Sequence, residues 1–111
     1  INISDHVIAI IAGIAATECY GLVGMASRSF QDGLAELLGR ESMHKGVDVR
    51  LSGERMEIDL YIVVEYGINI PEVAYNVMEK VKYTVERLVG VEVSRINVHV
   101  QGVRVTLPGR K

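Results

Sequence analysis

The sequence predicts an α/β (α+β) fold, a two-layer sandwich in which a mixed sheet of about four strands carries two main helices on one face. Three observations lead there. Val47, Val49 and Leu51 alternate with Asp48, Arg50 and Ser52, and past Gly53-Glu54 the alternation resumes through Met56, Ile58, Leu60, Ile62 and Val64. That is the pattern of a hairpin with one buried face. Gly67 and Pro71 then end the strand and open a helix whose stripe is Val73, Val77, Val81, Val85 and Leu88. A last alternating stretch, about Glu92 to Val105, buries Ile96, Val98 and Val100. The helix before it must therefore cross over the sheet, right-handed and on the apolar side.

In chain order, Ser4 suits the N-cap of a helix from about Asp5 to about Glu18, with Ile3 placed to staple against Ile8. Val7, Ile8, Ile11 and Ile14 give this helix a broad apolar face. Ala9, Ala12, Gly13 and Ala16 are small enough to let another element approach closely, whether the domain's own sheet or a docking partner. Gly21 ends the helix and Leu22 to Ser27 reads as a short strand. A weaker helical piece around Asp32 to Leu38 stops at Gly39, and the patternless residues from Arg40 to Lys45 read as a loop carrying Met43 and His44. In the second helix, about Pro71 to Val89, Glu72 and Arg87 complement the dipole, Lys82 and Glu86 are spaced to pair, and Gly90 closes the element. Residues 1–106 form a single domain on this reading, with 107–111 a frayed tail.

Composition narrows the function. A formal net charge of −2 over 111 residues supplies no global field toward nucleic acid or an anionic membrane. The apolar run from Val7 to Ala16 is too short to cross a bilayer, which takes about 20 residues, and Asp5 stands where a secretory signal would carry basic residues. No direct membrane insertion is expected. The single cysteine, Cys19, cannot form an internal disulfide and fits a reducing cytoplasm.

Catalytic chemistry finds little footing. Cys19 with His6, His44 or His99 is a thiol and imidazole set without any supporting motif, and a small thiol at the end of an apolar helix is ordinarily buried and inert. Zinc needs three or four converging ligands, often in close local pairs, whereas these histidines are far apart in sequence. Glu57, Asp59 and Glu65 share one strand face, but an open sheet offers no cleft to shift their acidity. Gly21-Leu22-Val23-Gly24 matches the Gly-x-x-Gly of KH domains only weakly, because Leu22 and Val23 enter a strand. Catalytic residues, metals and cofactors are accordingly none, and nucleic acid is not an expected partner.

What remains is the open sheet face. Tyr61 and Val63 are expected at its centre, ringed by Asp59, Glu65, Arg95, Asn97, His99 and Gln101. An apolar-bodied centre with a polar rim is how a modest protein interface is built. Tyr61, Val63, Arg95, Asn97, His99 and Gln101 are therefore the candidate interaction residues. A rival reading uses the same face, with the loop around His44, for a small ligand or nucleic acid.

The run Asp59-Leu-Tyr-Ile-Val-Val-Glu-Tyr-Gly-Ile-Asn-Ile-Pro-Glu-Val-Ala, followed by Val77, Val81-Lys82 and Val85-Glu86, resembles the alkaline shock protein, or envelope stress response, family of Gram-positive bacteria. Ile3-Ser4 with the helix to Gly21-Leu-Val-Gly-Met, Lys45-Gly46-Val47, Gly90-Val91-Glu92-Val93 and Ile96-Asn97-Val98-His99-Val100 agree in order, so the match spans nearly the whole chain. The resemblance implies a non-enzymatic cytoplasmic protein, peripheral at the inner face of the cell membrane through a membrane-anchored or soluble protein partner, and linked to envelope homeostasis. Self-association into a homo-oligomer, or an accessory role beside a dihydroxyacetone-kinase-like fatty acid kinase, are the variants it implies. Met78 stands where the family commonly has glutamine, and the long charged extensions of stress-induced members are missing, which favours a compact member.

Overall fold

The computed structural model describes residues 3–27 and 37–105. The expected helical piece at Asp32 to Leu38 and the frayed tail lie outside them, apart from Leu37 and Leu38. Helix α1 spans Asp5–Thr17, strand β1 Leu22–Met25, a 3-10 helix Arg40–Gly46, β2 Val47–Ser52, β3 Arg55–Glu65, α2 Ile70–Val89 and β4 Arg95–Arg104.

Strand β3 is the hub. β2 runs antiparallel along its first half, from Ser52↔Arg55 to Val47↔Leu60, and β1 antiparallel along its second half, from Met25↔Ile62 to Leu22↔Val64. β4 lies parallel to it, from Glu57↔Arg95 to Glu65↔Arg104. Since a strand has two edges and β4 occupies one, β2 and β1 share the other end to end. The sheet is mixed and four-stranded, as the sequence predicts.

The strand pattern places the core as expected. Met56, Ile58, Leu60, Ile62 and Val64 bury one face of β3 against Ile8, Ala12 and Ala16 of α1 and Val73, Val77, Val81 and Val85 of α2. Each large side chain buried in this way contributes about 1.5–3 kcal/mol. The helix starts are also as predicted: Val7 N–H donates to Ser4 Oγ (3.2 Å), and at α2 Glu72 N–H donates to Asn69 Oδ1 (3.0 Å) with a proline in the first turn. Gly90 (φ 83°) caps α2 in the left-handed region, where a Cβ is disfavoured, whereas α1 already ends at Thr17 with Glu18 (φ −83°) as its C-cap, and Gly21 (φ 89°) instead turns the chain into β1.

Helix α1 is turned relative to the pattern-based expectation. Ala9, Ala12, Gly13, Ala15 and Ala16 are buried together with Ile8, while Val7, Ile10 and Ile14 are 44%, 38% and 46% exposed. The reason is crowding: α1 packs against α2, β1, β2 and the 3-10 helix at once. Only its small side chains fit such close neighbours, and a Cβ at Gly13 would already sit 3.6 Å from Met43 Cβ. The branched side chains are left facing outward.

Three further expectations are corrected. Residues 40–46 form a 3-10 helix, with Ser42 N–H donating to Gly39 O (2.9 Å), where a patternless loop is expected. At the end of the expected helical piece, Leu37 instead makes an antiparallel bridge with Ala26, and Leu38 N–H donates to Met25 O (2.9 Å). Glu86 does not pair with Lys82; its Oε2 accepts from Val93 N–H (2.9 Å), tying the end of α2 to the approach to β4.

Candidate interaction face

The hairpin turn sets the register of the polar face. With Gly53 at φ 63° closing the turn, Ser52 faces Arg55, and therefore Arg50 faces Glu57 and Asp48 faces Asp59. On the other side of β3, Arg95 faces Glu57, Asn97 faces Asp59 and His99 faces Tyr61. Three rows of side chains cross the sheet on the face away from the helices.

Asp59 lies at the centre of the middle row and is only 5% exposed. Its Oδ2 accepts from Arg50 Nη1 at 2.5 Å, its Oδ1 meets His99 Nε2 at 2.9 Å, and the Asn97 side chain also bonds it. Burial alone would raise this carboxyl's pKa, yet the hydrogen bonds from His99, Arg50 and Asn97 outweigh it and hold it below the usual carboxylate value. The group stays ionised. Arg50 also reaches Asp48 Oδ2 (3.0 Å) and Glu57 Oε1 (3.0 Å), and the bonds to Asp59 and Glu57 raise its own pKa. A single guanidinium thus neutralises the cross-strand pair Asp48 and Asp59, which would otherwise repel.

This scaffold positions the aromatic pair. The ring of His99, held by Asp59, stacks on Tyr61 with centroids 4.5 Å apart and planes 10° from parallel. Such a pair contributes about 0.5–1.5 kcal/mol beyond its buried area. Two rows away on the same face, Arg95 is exposed; among arginines with described side chains it alone has no hydrogen-bond or ion-pair partner.

The structure therefore brings Tyr61, Arg95, Asn97 and His99 onto one face and closes one candidate, Val63, off from solvent. Val63 is 0% exposed and lies beneath Leu37 in a small second cluster with Ala26. Leu37, bridged to Ala26, covers this end of the sheet, and Gly24 permits it, since a Cβ there would sit 3.1 Å from Leu37 Cδ2. Gln101 is the extra residue of a bulge, because Ile62 faces Val100 while Val63 faces Gly102. His44 is also displaced: its ring meets His6 of α1 edge to face at 4.5 Å, on the helical layer, so it does not share a face with Tyr61.

Arg50 is the residue that sequence reasoning missed. Two aspartates opposite each other after a two-residue turn demand a cation, and Arg50 is the nearest on the same face, so the signal was present in the hairpin register. Chemically the cluster is a fixed, ionised surface: among the described residues no hydroxyl or thiol bonds His99, and no group of three histidine, cysteine or acidic side chains could hold a metal. No described helix is long and apolar enough to cross a membrane.

Comparison with known proteins places these features in a family. The chain is 55% identical over 109 residues to YloU of Bacillus subtilis, covering 97% of this chain and 91% of that protein. It is 36% identical over 104 residues to YqhY of the same organism, covering 94% and 76%. A stress response regulator gls24 homologue of Streptococcus pyogenes is 30% identical over 100 residues, covering 90% of this chain and 56% of its own length. Solved structures of the MamM CTD share the fold alone: a nickel form has a TM-score of 0.51 at 14% identity, covering 90% of this chain and 96% of that one. The sequence profile of the alkaline shock protein 23 family, which has a cell envelope-related function, matches residues 1–105, and this chain belongs to that family.

Proposed function

We propose that this protein is a non-enzymatic scaffold or adaptor of the cell envelope that works by docking a protein partner on its open sheet face, near the cytoplasmic membrane. The observation that supports this reading is the Tyr61–His99 stack, preorganised over the buried carboxylate of Asp59, with Arg95, which has no partner among the described residues, two rows along the same face. An aromatic pair whose rotamers are already fixed loses little conformational entropy on binding, and a free guanidinium farther along the same face selects an extended segment that carries a carboxylate. The partner is a membrane-anchored protein or a soluble enzyme such as a kinase to which this chain is an accessory.

The test is affinity capture from gently crosslinked native cells, with membrane and soluble fractions analysed separately by mass spectrometry. A specific protein recovered with the wild type and lost with both Tyr61→Glu and Arg95→Glu is the expected result. Retention of the same partners by folded Tyr61→Glu protein would overturn the reading.

A further inference from the structure

We propose that the groove between the outer face of α1 and the 3-10 helix Arg40–Gly46 is a second docking site, built for a cationic amphipathic helix of a protein partner. It lies on the helical layer and does not depend on the sheet face.

The first support is the turned helix. Val7, Ile10 and Ile14 fall at i, i+3 and i+7, one continuous stripe, and it is the alanines that fill the core. A helix that buries its alanines and exposes its isoleucines has its strongest apolar surface unused within the chain.

The second is that two residues of this stripe, Ile10 and Ile14, form the floor of a shaped groove. A volume of about 720 Å³ is floored by Ile10 and Ile14, walled by Met43 and His44, and bounded by His6 and Thr17. From His6 to Thr17 is twelve residues of α-helix, eleven rises, so the groove runs roughly 16 Å along the axis. That accommodates about three turns of a partner helix laid in the groove. Met43 is a side chain suited to fitting varied apolar partners.

The third is charge. Among the described residues Glu41 is the one formally charged side chain lining the groove, it is exposed, and it has no ion-pair or hydrogen-bond partner there. The complement of an apolar floor with one free carboxylate is an apolar stripe flanked by Lys or Arg. A second copy docking through its own α1 offers no such cation, because that helix contains no Lys or Arg. An anionic lipid surface would meet Glu41 as a like charge.

The experiment selects from a phage-displayed library of helical peptides against the full chain, the Ile14→Glu variant and the Glu41→Lys variant. Enriched peptides are then made with a fluorophore and titrated by anisotropy. The inference expects wild-type selection to enrich apolar residues at i, i+3 or i+4 and i+7 with flanking Lys or Arg. It expects at least tenfold weaker binding to Ile14→Glu, and a switch to Asp or Glu flanks in the Glu41→Lys selection. Should Ile14→Glu fold poorly by circular dichroism, Ile10→Ser takes its place. Enrichment of no helical pattern, binding indifferent to Ile14, or a flank preference indifferent to Glu41 overturns the proposal. A dimer in sedimentation equilibrium that Ile14→Glu dissolves also overturns it, because the groove's occupant is then a second copy.

Discussion

Asp59 fixes His99: the carboxylate accepts the imidazole hydrogen at 2.9 Å and in doing so lays the ring flat on Tyr61. The buried charge therefore shapes the surface above it. Arg50, half exposed, bonds the second carboxylate oxygen and leaves no buried polar side-chain atom unpaired among the described residues.

Acid should dismantle this arrangement in a defined direction. The Asp59 carboxyl has a folded pKa below its unfolded value of about 3.8, so its contribution to stability is fully present above that value and is lost as pH falls through the folded one. Asp59→Asn should cost about 1.5–3 kcal/mol near neutral pH, the range for buried hydrogen bonds to a charged group. It should also flatten the fall in stability below about pH 4. Urea unfolding followed by circular dichroism between pH 2 and 7 measures both; equal acid sensitivity of wild type and variant would show that Asp59 is not the linked group.

Val63 tests whether the sheet face is closed where Leu37 crosses it. On a solvent-facing strand Val→Thr is nearly neutral, but at a 0% exposed position the new hydroxyl is buried without a partner. Val63→Thr should therefore cost about 1–3 kcal/mol, read from the midpoint of urea unfolding. A change within about 0.5 kcal/mol, typical of an exposed site, would mean that Val63 is accessible after all.

The contrast between Tyr61 and Val63 shows what alternation reveals. A period of two told which residues of β2, β3 and β4 share a face, and the hairpin and crossover followed from it. It carried no information on what else covers that face. The cover over Val63 depends on Ala26 pairing with Leu37, a contact between residues eleven apart with no periodic signature. The His99 stack and Asp59 cluster were half legible, since the side chains were assigned to one face while their pairing required the inter-strand register. Gln101 left its row because a bulge shifts the alternation by one residue.

Cys19 illustrates a thiol whose inertness is physical. Burial pushes its pKa up, Lys80 draws it partly back and Glu18 adds to the rise, so less thiolate is present at any given pH than on an unfolded chain. Alkylation by iodoacetamide at pH 8 should be several-fold slower in the native protein than in urea. Lys80→Gln should slow it further by removing the one opposing charge. A native rate matching the unfolded one would refute the shielded state.

The orientation of α1 is the feature that hydrophobic patterning predicted least well, because a helix rich in isoleucine and alanine has apolar residues on every side. Close packing against four neighbours decides the matter by size, and size is not what a hydropathy pattern weighs. The consequence is a reversal of the usual mutational expectation along this helix. Ala12, at 0% exposure, should tolerate enlargement poorly: Ala12→Leu forces side chains or backbone apart and should cost about 1–3 kcal/mol or more. Ile14, at 46% exposure, should accept Lys with a change within about 0.5 kcal/mol in the isolated protein. Thermal or urea unfolding of both variants decides it: if Ile14→Lys proves the more damaging of the two, α1 faces the core with its branched stripe and the outward groove does not exist.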